Sequence, residues 1–311
     1  MNSLKENPLI NVFGQNGIVS IDNLKLYHKG TRDISEINVL IDDETGSLIL
    51  DKCVNDVQDY YIKNKNYTLK ENKTLIANTL TSTPPLEDDI RRFNLYNKIL
   101  TNKSILDFGC GRGGFLKKLK TEGVSSNLIG VELNEINREI INRDGIICLK
   151  EIKHNSKKYD FIFLNHVFEH LIDPINILTN LRKLLNDNGK IIIEIPHGND
   201  FLIKESKIAS FLNFTFWSEH ICLYTEDLLK KLFQKLNYKD FHISYYQRYN
   251  LNNHIHWYKE NEPGGHVKSN IYSEPLLTNY EEYLRINKIT DTLMIVIGND
   301  SKQVSDIVFS R

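Results

Sequence analysis

The sequence lacks a long apolar run, an excess of one charge and any closely paired cysteines. No stretch of its 311 residues approaches the roughly 20 apolar residues that span a bilayer, and the amino terminus lacks the apolar run of a signal peptide. We therefore expect a cytoplasmic protein without a membrane span. The formal net charge is −1, which predicts no general attraction to nucleic acid. The expected partner is a small molecule, and a homo-oligomer is left open.

The cysteines are few and scattered. None forms a Cys-x-x-Cys pair, which favours reduced thiols and argues against a structural zinc site. Two nearby histidines, His254 and His256, have too few accompanying cysteines or carboxylates to indicate a metal site. We therefore predict no metal. The four cysteines are Cys53, Cys110, Cys148 and Cys222.

Short β-branched runs alternate with amphipathic helical stretches from about residue 103 to residue 243. This alternation is typical of a mostly parallel sheet with helices on both faces, so we predict a doubly wound, Rossmann-like α/β fold. A helix with apolar residues as far as Leu185 is predicted before the strand at residues 190–195, with Asn188 and Gly189 ending it. Residues 241–246 and 293–297 read as two late strands.

Two regions depart from this alternation of strand and helix patterns. Residues 36–41 and 47–50 read as a hairpin in an amino-terminal β-rich extension, which we assign to residues 1–85 because Pro84 and Pro85 interrupt the chain there. Residues 86–311 then form the main domain. Within it, residues 251–290 are rich in His, Tyr and Asn and form an insertion between the last two strands. We predict that this insertion is a substrate lid.

A glycine-rich loop, residues 107–114, follows the first strand of the main domain. Glycine lets a ligand approach the backbone closely, and the free N–H groups of the following helix add to such a site. The spacing Gly109-x-Gly111-x-x-Gly114 also satisfies the dinucleotide fingerprint, so the glycines alone fit two cofactors.

Two carboxylates narrow the choice of cofactor. Asp107 lies two residues before the first glycine of the loop, where it would repel a pyrophosphate but attract the ammonium and sulfonium groups of S-adenosylmethionine (SAM). Glu132 ends the second strand, 23 residues beyond Gly109, and is placed to accept hydrogen bonds from a ribose diol. The ribose belongs to both cofactors, so Asp107 is the residue that favours SAM.

Three segments resemble motifs of class I SAM-dependent methyltransferases. Residues 104–114 resemble the first motif, residues 129–132 the second, and residues 159–174 the fourth-strand segment, in the same order along the chain. Residues 291–296 resemble the final strand of that fold, which inserts antiparallel. The resemblance implies a cofactor site made of Asp107, Gly109, Cys110, Gly111, Glu132, Leu133, Asn165 and His166.

The resemblance extends to bacterial methyltransferases of sugars and cell-surface polysaccharides. Glu219 and His220 are similar to a segment of the enzymes that act on nucleotide-linked sugars, in which a histidine is the base, although the tyrosine of that segment is not reproduced. Residues 43–51 and 59–61 are similar to the segment that precedes the catalytic domain there. His220 and Glu219 are therefore candidate catalytic residues, and His197, just after the strand at residues 190–195, is a second candidate for the base. Glu169 and His170 are expected to pack under the cofactor.

The leading hypothesis is SAM-dependent methylation of a small polar acceptor, with His220 or His197 relaying a proton. The expected acceptor is a hydroxyl of a nucleotide-linked or polysaccharide-precursor sugar. Two alternatives are an NAD(P)-dependent oxidoreductase, which the glycine spacing also fits, and a SAM-binding module without catalytic activity.

Overall fold

A computed structural model describes residues 7–54, 85–152, 157–268 and 271–298 of the chain. Contacts divide the chain into two compact units. Of the described residues, the first unit contains 7–54, 168–177, 193–268 and 271–295, and the second contains 85–152, 157–167, 178–192 and 296–298. The predicted boundary after residue 85 stays a prediction, and residues 82–84 beside it lie outside the described ranges, as do residues 59–61.

The described ranges contain the following helices and strands. The helices are α1 (Pro8–Gln15), α2 (Glu87–Tyr96), α3 (Gly114–Thr121), α4 (Glu135–Arg143), α5 (Pro174–Arg182), α6 (Ala209–Thr215), α7 (Glu226–Lys235), α8 (Leu251–Glu260), α9 (Gly265–Lys268) and α10 (Glu274–Ile286). The strands are β1 (Leu24–His28), β2 (Val39–Asp42), β3 (Leu48–Leu50), β4 (Ile105–Phe108), β5 (Leu128–Val131), β6 (Ile147–Leu149), β7 (Tyr159–Asn165), β8 (Leu185–Pro196), β9 (Cys222–Leu223), β10 (Phe241–Tyr246) and β11 (Thr292–Gly298).

Seven strands form the central sheet in the order β10-β11-β8-β7-β4-β5-β6. Strand β4 pairs in parallel with both β5 and β7, and β5 pairs in parallel with β6. The strand order therefore reverses at β4, and ligands of doubly wound sheets bind beyond the carboxyl ends of the strands at such a reversal. The predicted α/β fold, mostly parallel with antiparallel strands at the edge, is confirmed.

Helix α3 follows the glycine loop directly. Gly113 precedes it in the left-handed region, with φ of 71°, and Phe115, Leu116 and Leu119 form its buried face. Tyr96 of α2 packs its ring against Phe115 and Phe163, with centroids 6.4 and 5.2 Å away. Aromatic packing thus holds α2 against α3, the helix that follows the glycine loop.

The helix predicted to reach Leu185 is shorter than expected. Helix α5 ends at Arg182, and Leu185 begins strand β8. The carbonyl of Leu184 accepts a hydrogen bond of 2.8 Å from the Tyr159 amide at the start of β7. The leucine spacing fits a helix, but pairing with the neighbouring strand satisfies the backbone at this position and overrides that local preference.

A second, four-stranded sheet lies within the first unit, in the order β1-β2-β3-β9. The predicted hairpin is confirmed, because β2 and β3 pair antiparallel with Val39 opposite Leu50. Strand β3 also pairs with β9, so the amino-terminal strands extend a sheet that includes residues 222–223. Thr225 caps α7, and its hydroxyl lies 2.8 Å from that of Ser47.

Helices α8, α9 and α10 occupy the described part of the predicted insertion. Asp291, just beyond them, is half-buried and accepts hydrogen bonds from the amides of Arg248 and Tyr249 and from the side chain of Gln247. The role of the insertion as a lid stays a prediction. Among the described residues, no helix combines the length and the apolar character that crossing a membrane requires.

Candidate functional site

The glycine loop has the backbone geometry that its sequence predicts. Gly109 has a φ of 76°, and a Cβ at this position would lie 2.5 Å from Cγ2 of Val167. Gly111 has a φ of 54° and faces open space, with nothing within 4 Å of a Cβ built there. Any side chain at Gly109 would be strained and obstructed, whereas Gly111 leaves room for a ligand beside the backbone.

Glu132 holds the loop from the end of β5. One carboxylate oxygen accepts a hydrogen bond of 2.8 Å from the Gly111 amide, and the other accepts one of 2.7 Å from Asn134. Burial raises the pKa of Glu132, and these hydrogen bonds act in the opposite direction. Each oxygen keeps a lone pair, so ribose hydroxyls can still bind. Leu133 follows, and its carbonyl accepts a hydrogen bond from Arg138.

Asp107 lies at the carboxyl end of β4 and is 3% exposed. Burial raises its pKa to about 7, and the nearby positive charge of Arg92 acts in the opposite direction. The side-chain amide of Asn165 donates a hydrogen bond of 3.4 Å to one Asp107 oxygen. A cation bound beside Asp107 would stabilise the ionised form. His166 follows Asn165 with a positive φ of 52°, which turns the chain at the end of β7.

Helix α2 adds two residues that the sequence analysis missed. The carboxylate of Asp89 caps the helix by accepting from the Leu86 amide at 2.8 Å, and a Cβ on Gly114 would lie 2.0 Å from it. Asp89 and Arg92 both act on the pKa of Asp107, in opposite directions. Three acidic residues in one helical turn after two prolines are a sequence feature that could have indicated this helix start.

Cys110 has a thiol neighbour across β5. Its Sγ atom lies 3.7 Å from Sγ of Cys148, and a Cβ at Gly130 would lie 2.6 Å from the Cys110 sulfur. The glycine in β5 therefore provides the space in which the two sulfurs meet. The other two cysteines, Cys53 and Cys222, are free thiols as well.

His220 lies in a loop of the first unit, residues 216–221, that is held at several points. The Ser218 hydroxyl donates a hydrogen bond of 2.6 Å to Asp33, and the His220 amide donates one of 3.0 Å to the Trp217 carbonyl. Burial acts to raise the pKa of Asp33, but hydrogen bonds, including those from Ser218, outweigh burial and lower this pKa. The rings of His220 and Trp217 have centroids 5.4 Å apart. The half-buried imidazole is thus held beside an indole surface.

His197 is in a different environment. It is 1% exposed, and its Nδ1 donates a hydrogen bond of 2.9 Å to the Thr290 carbonyl, because a carbonyl can only accept. Burial lowers the pKa of His197 to about 4, so its ring is neutral at neutral pH. The ring ties the residue after β8 to Thr290, two residues before β11.

Glu169 and His170, which were expected only to pack under the cofactor, lie beside His220. Nδ1 of His170 is 2.7 Å from the Glu219 carbonyl, and its Nε2 is 3.8 Å from a Glu169 oxygen. The His170 and His220 rings have centroids 5.1 Å apart. Glu219 itself is buried and holds His170 through its backbone. Three potential ligand atoms of Glu169, His170 and His220 lie within 4.8 Å of one another.

Comparison with known proteins identifies the family. Residues 82–243, about half of the chain, match the model of a methyltransferase domain. The chain belongs to this family. The match covers the glycine loop, Glu132 and the His220 loop. It confirms the predicted methyltransferase and sets aside the oxidoreductase alternative, because the family model accounts for the same glycine spacing.

Curated relatives of this methyltransferase domain carry the name tRNA U34 carboxymethyltransferase. The protein from Campylobacter jejuni subsp. jejuni serotype O:2 is 25% identical over 167 residues, which are 49% of this chain and 56% of that protein. The protein from Nautilia profundicola is 30% identical over 105 residues, 30% of this chain and 35% of that protein. The chain spans about half the length of the Campylobacter relatives that it matches.

Solved structures with similar folds include two methyltransferases. A SAM-dependent methyltransferase from Archaeoglobus fulgidus is 23% identical, with 75% of this chain and 99% of that chain covered and a TM-score of 0.47. The plantazolicin methyltransferase BamL, in complex with a triazolic desmethylPZN analog and SAH, is 17% identical, with 78% and 94% covered and a TM-score of 0.46. The predicted cofactor, SAM, is confirmed through the match of residues 82–243 to a methyltransferase domain. The names of these relatives refer to tRNA U34 and plantazolicin, not to a sugar.

Proposed function

We propose that this methyltransferase transfers a methyl group from SAM to a hydroxyl of a small polar acceptor, a nucleotide-linked or polysaccharide-precursor sugar. The methyl carbon breaks its bond to the sulfonium sulfur and bonds to the acceptor oxygen, and S-adenosylhomocysteine (SAH) leaves as a neutral thioether. The acceptor hydroxyl loses its proton. Such an in-line displacement depends mainly on positioning, with help from a group that removes the proton.

Cofactor binding is assigned to the cluster around the glycine loop. Asp107 supplies negative charge for the cationic donor, Gly109 and Gly111 give access to the backbone, and Glu132 accepts from the ribose. Cys110, Leu133, Asn165 and His166 complete the proposed contacts. The support is physical: Asp107 is buried at the end of β4, where a cationic ligand would return its pKa towards the ordinary range.

Acceptor handling is assigned to His220, and the observation that carries this assignment is the arrangement of its loop. A half-buried imidazole stands beside the Trp217 ring in a loop anchored by Asp33. Aromatic rings bind the apolar faces of sugars while polar groups meet their hydroxyls. His197 is too buried to be assigned contact with an acceptor, and we assign it and Glu219 to positioning.

A tRNA uridine is the second candidate acceptor. It is favoured by the names of the curated relatives, which are 24–30% identical to this chain over about a third to a half of its length. The balanced charge, with a net of −1, weighs against a large phosphate-binding surface.

The test measures SAH formation by the purified chain with two sets of acceptors. One set contains nucleotide-linked sugars, and the other contains an unmodified tRNA transcript with and without ribonuclease treatment. We expect SAH with at least one sugar and a methylated hydroxyl in the product by mass spectrometry. Turnover that requires intact tRNA would overturn the sugar assignment. Weak SAM binding with no turnover on either set would leave a SAM-binding module as the better description.

A further inference from the structure

We infer that Glu169, His170 and His220 form a binding site for one divalent first-row transition metal ion. We predict no metal from the sequence, because it has no Cys-x-x-Cys pair and too few donors accompany His254 and His256. Glu169 and His170 are adjacent in the chain, and His220 lies about 50 residues after them. Two imidazoles and one carboxylate are a donor set that suits ions such as Zn²⁺, Fe²⁺ and Co²⁺.

The distances fit a single ion. One potential donor atom from each residue lies within 4.8 Å of the others, and His170 Nε2 is 3.8 Å from the Glu169 carboxylate. An ion about 2.0–2.2 Å from each donor requires donor separations of about 4 Å or less. Binding therefore needs only a small inward movement of these side chains.

The His170 ring is already oriented for a ligand role. Its Nδ1–H donates to the Glu219 carbonyl at 2.7 Å, which fixes the tautomer and leaves the Nε2 lone pair facing the Glu169 side. Histidine ligands in metal sites usually donate their second ring nitrogen in this way, and the bond raises their basicity. This carbonyl belongs to Glu219, the residue before His220. The same backbone segment therefore orients His170 and carries His220.

Charge and exposure support the same assignment. The Glu169 side chain is fully buried, with 0% exposed, and the His170 side chain is 15% exposed. A buried carboxylate is costly unless a positive charge accompanies it. The half-buried histidine rings leave an approach for an ion.

Three protein ligands leave coordination positions open, as in catalytic rather than purely structural metal sites. The role that we assign to the ion rests on the proposed function: it coordinates the acceptor hydroxyl, lowers the pKa of that hydroxyl and yields the oxygen nucleophile after proton loss to solvent. His220 then acts as a metal ligand instead of a free base.

The test uses the full chain, freed of metal by chelation and titrated with Co²⁺. We expect one Co²⁺ per chain, with visible absorption bands that Zn²⁺ removes by competition. Glu169→Gln, His170→Asn and His220→Asn should each weaken Co²⁺ binding at least about 100-fold, whereas His242→Gln, which changes an exposed histidine of β10, should bind like the parent chain. Failure of the parent to bind Co²⁺ or Zn²⁺, or equal binding by the His220 variant, would overturn the site.

A second measurement keeps the inference testable if a variant does not fold. In the unaltered chain, Zn²⁺ should shift the imidazole nitrogen resonances of His170 and His220 in NMR spectra and leave those of His242 unchanged; the absence of this selectivity would overturn the site. Methyl transfer that survives chelation would overturn the catalytic role of the ion. Metal binding without methylation of any acceptor would instead contradict the proposed function and support the site.

Discussion

At the scale of single residues, the glycine loop depends on how Asp107 ionises. Its carboxyl group is buried at the end of β4 between the opposing influences of Arg92 and Asp89. A pKa of about 7 means that a change of proton occupancy accompanies the binding of a cationic ligand near neutral pH. Because burial brings the pKa of Asp107 close to neutral pH, its role in binding SAM can be measured from the pH dependence of that binding.

We expect SAM to bind about eightfold more weakly at about pH 6 than at about pH 7.5. Ionised Asp107 binds the cationic donor, and the fraction of ionised carboxyl falls as the pH drops below about 7. Calorimetry across this range measures the change, and Asp107→Asn should bind weakly with little pH dependence. Equal SAM affinity at both pH values in the parent chain would contradict the assignment of Asp107.

At the scale of elements, strand β5 shows how a missing side chain shapes its neighbours. Gly130 lies between β4 and β6, opposite Asp107 on one strand and Cys148 on the other. Its lack of a Cβ is what admits the sulfurs of Cys110 and Cys148 to the same space.

We expect Gly130→Ala to lower the free energy of unfolding by about 1–3 kcal/mol, the usual cost of an overpacked core. The added methyl group would lie 2.6 Å from the Cys110 sulfur and 3.2 Å from the Cys148 sulfur. Urea denaturation measures the change. Adding Cys110→Ala should recover part of the loss, since it removes the closest atom; a double variant with no recovery would show that the sulfur is not the obstacle.

At the scale of the whole molecule, several buried titratable groups make stability depend on pH. Burial lowers the pKa values of His197 and His254 to about 4 and raises that of Asp200 to about 8. Both histidines are neutral in the folded chain and must become charged to bind protons. Their contribution to the free energy of unfolding is complete above about pH 6.5 and is lost as the pH falls towards 4. The contribution of Asp200 to the free energy of unfolding changes with pH in the opposite direction, because it is lost as the pH rises towards 8.

We expect the parent chain to lose up to about 3 kcal/mol of unfolding free energy through His197 between about pH 7 and about pH 4. His197→Gln removes this titration, so the difference between the two proteins should shrink by that amount as the pH falls. Denaturant unfolding at several pH values measures it, with His242→Gln as the control. A difference that stays constant with pH would show that His197 titrates alike in folded and unfolded chains.

The cofactor loop and most strands could be predicted from the sequence, because they depend on residues that are close together in the chain. The strand, the glycine turn and α3 are continuous in residues 105–121, and the strand at residues 241–246 follows from its own alternation. Thr225 caps α7 through an amide only three residues away. Local sterics and hydrogen bonding are sufficient at such positions.

The end of α5 and the grouping of Glu169, His170 and His220 could not be predicted from the sequence, because both depend on contacts between distant parts of the chain. The first depends on strand pairing between Leu184 and Tyr159, and the second on contacts between segments about 50 residues apart. Side-chain spacing along the chain carries no information on which distant loops meet. That choice follows from burial and hydrogen bonding over the whole unit, which is why the cofactor loop was predictable and the histidine cluster was not.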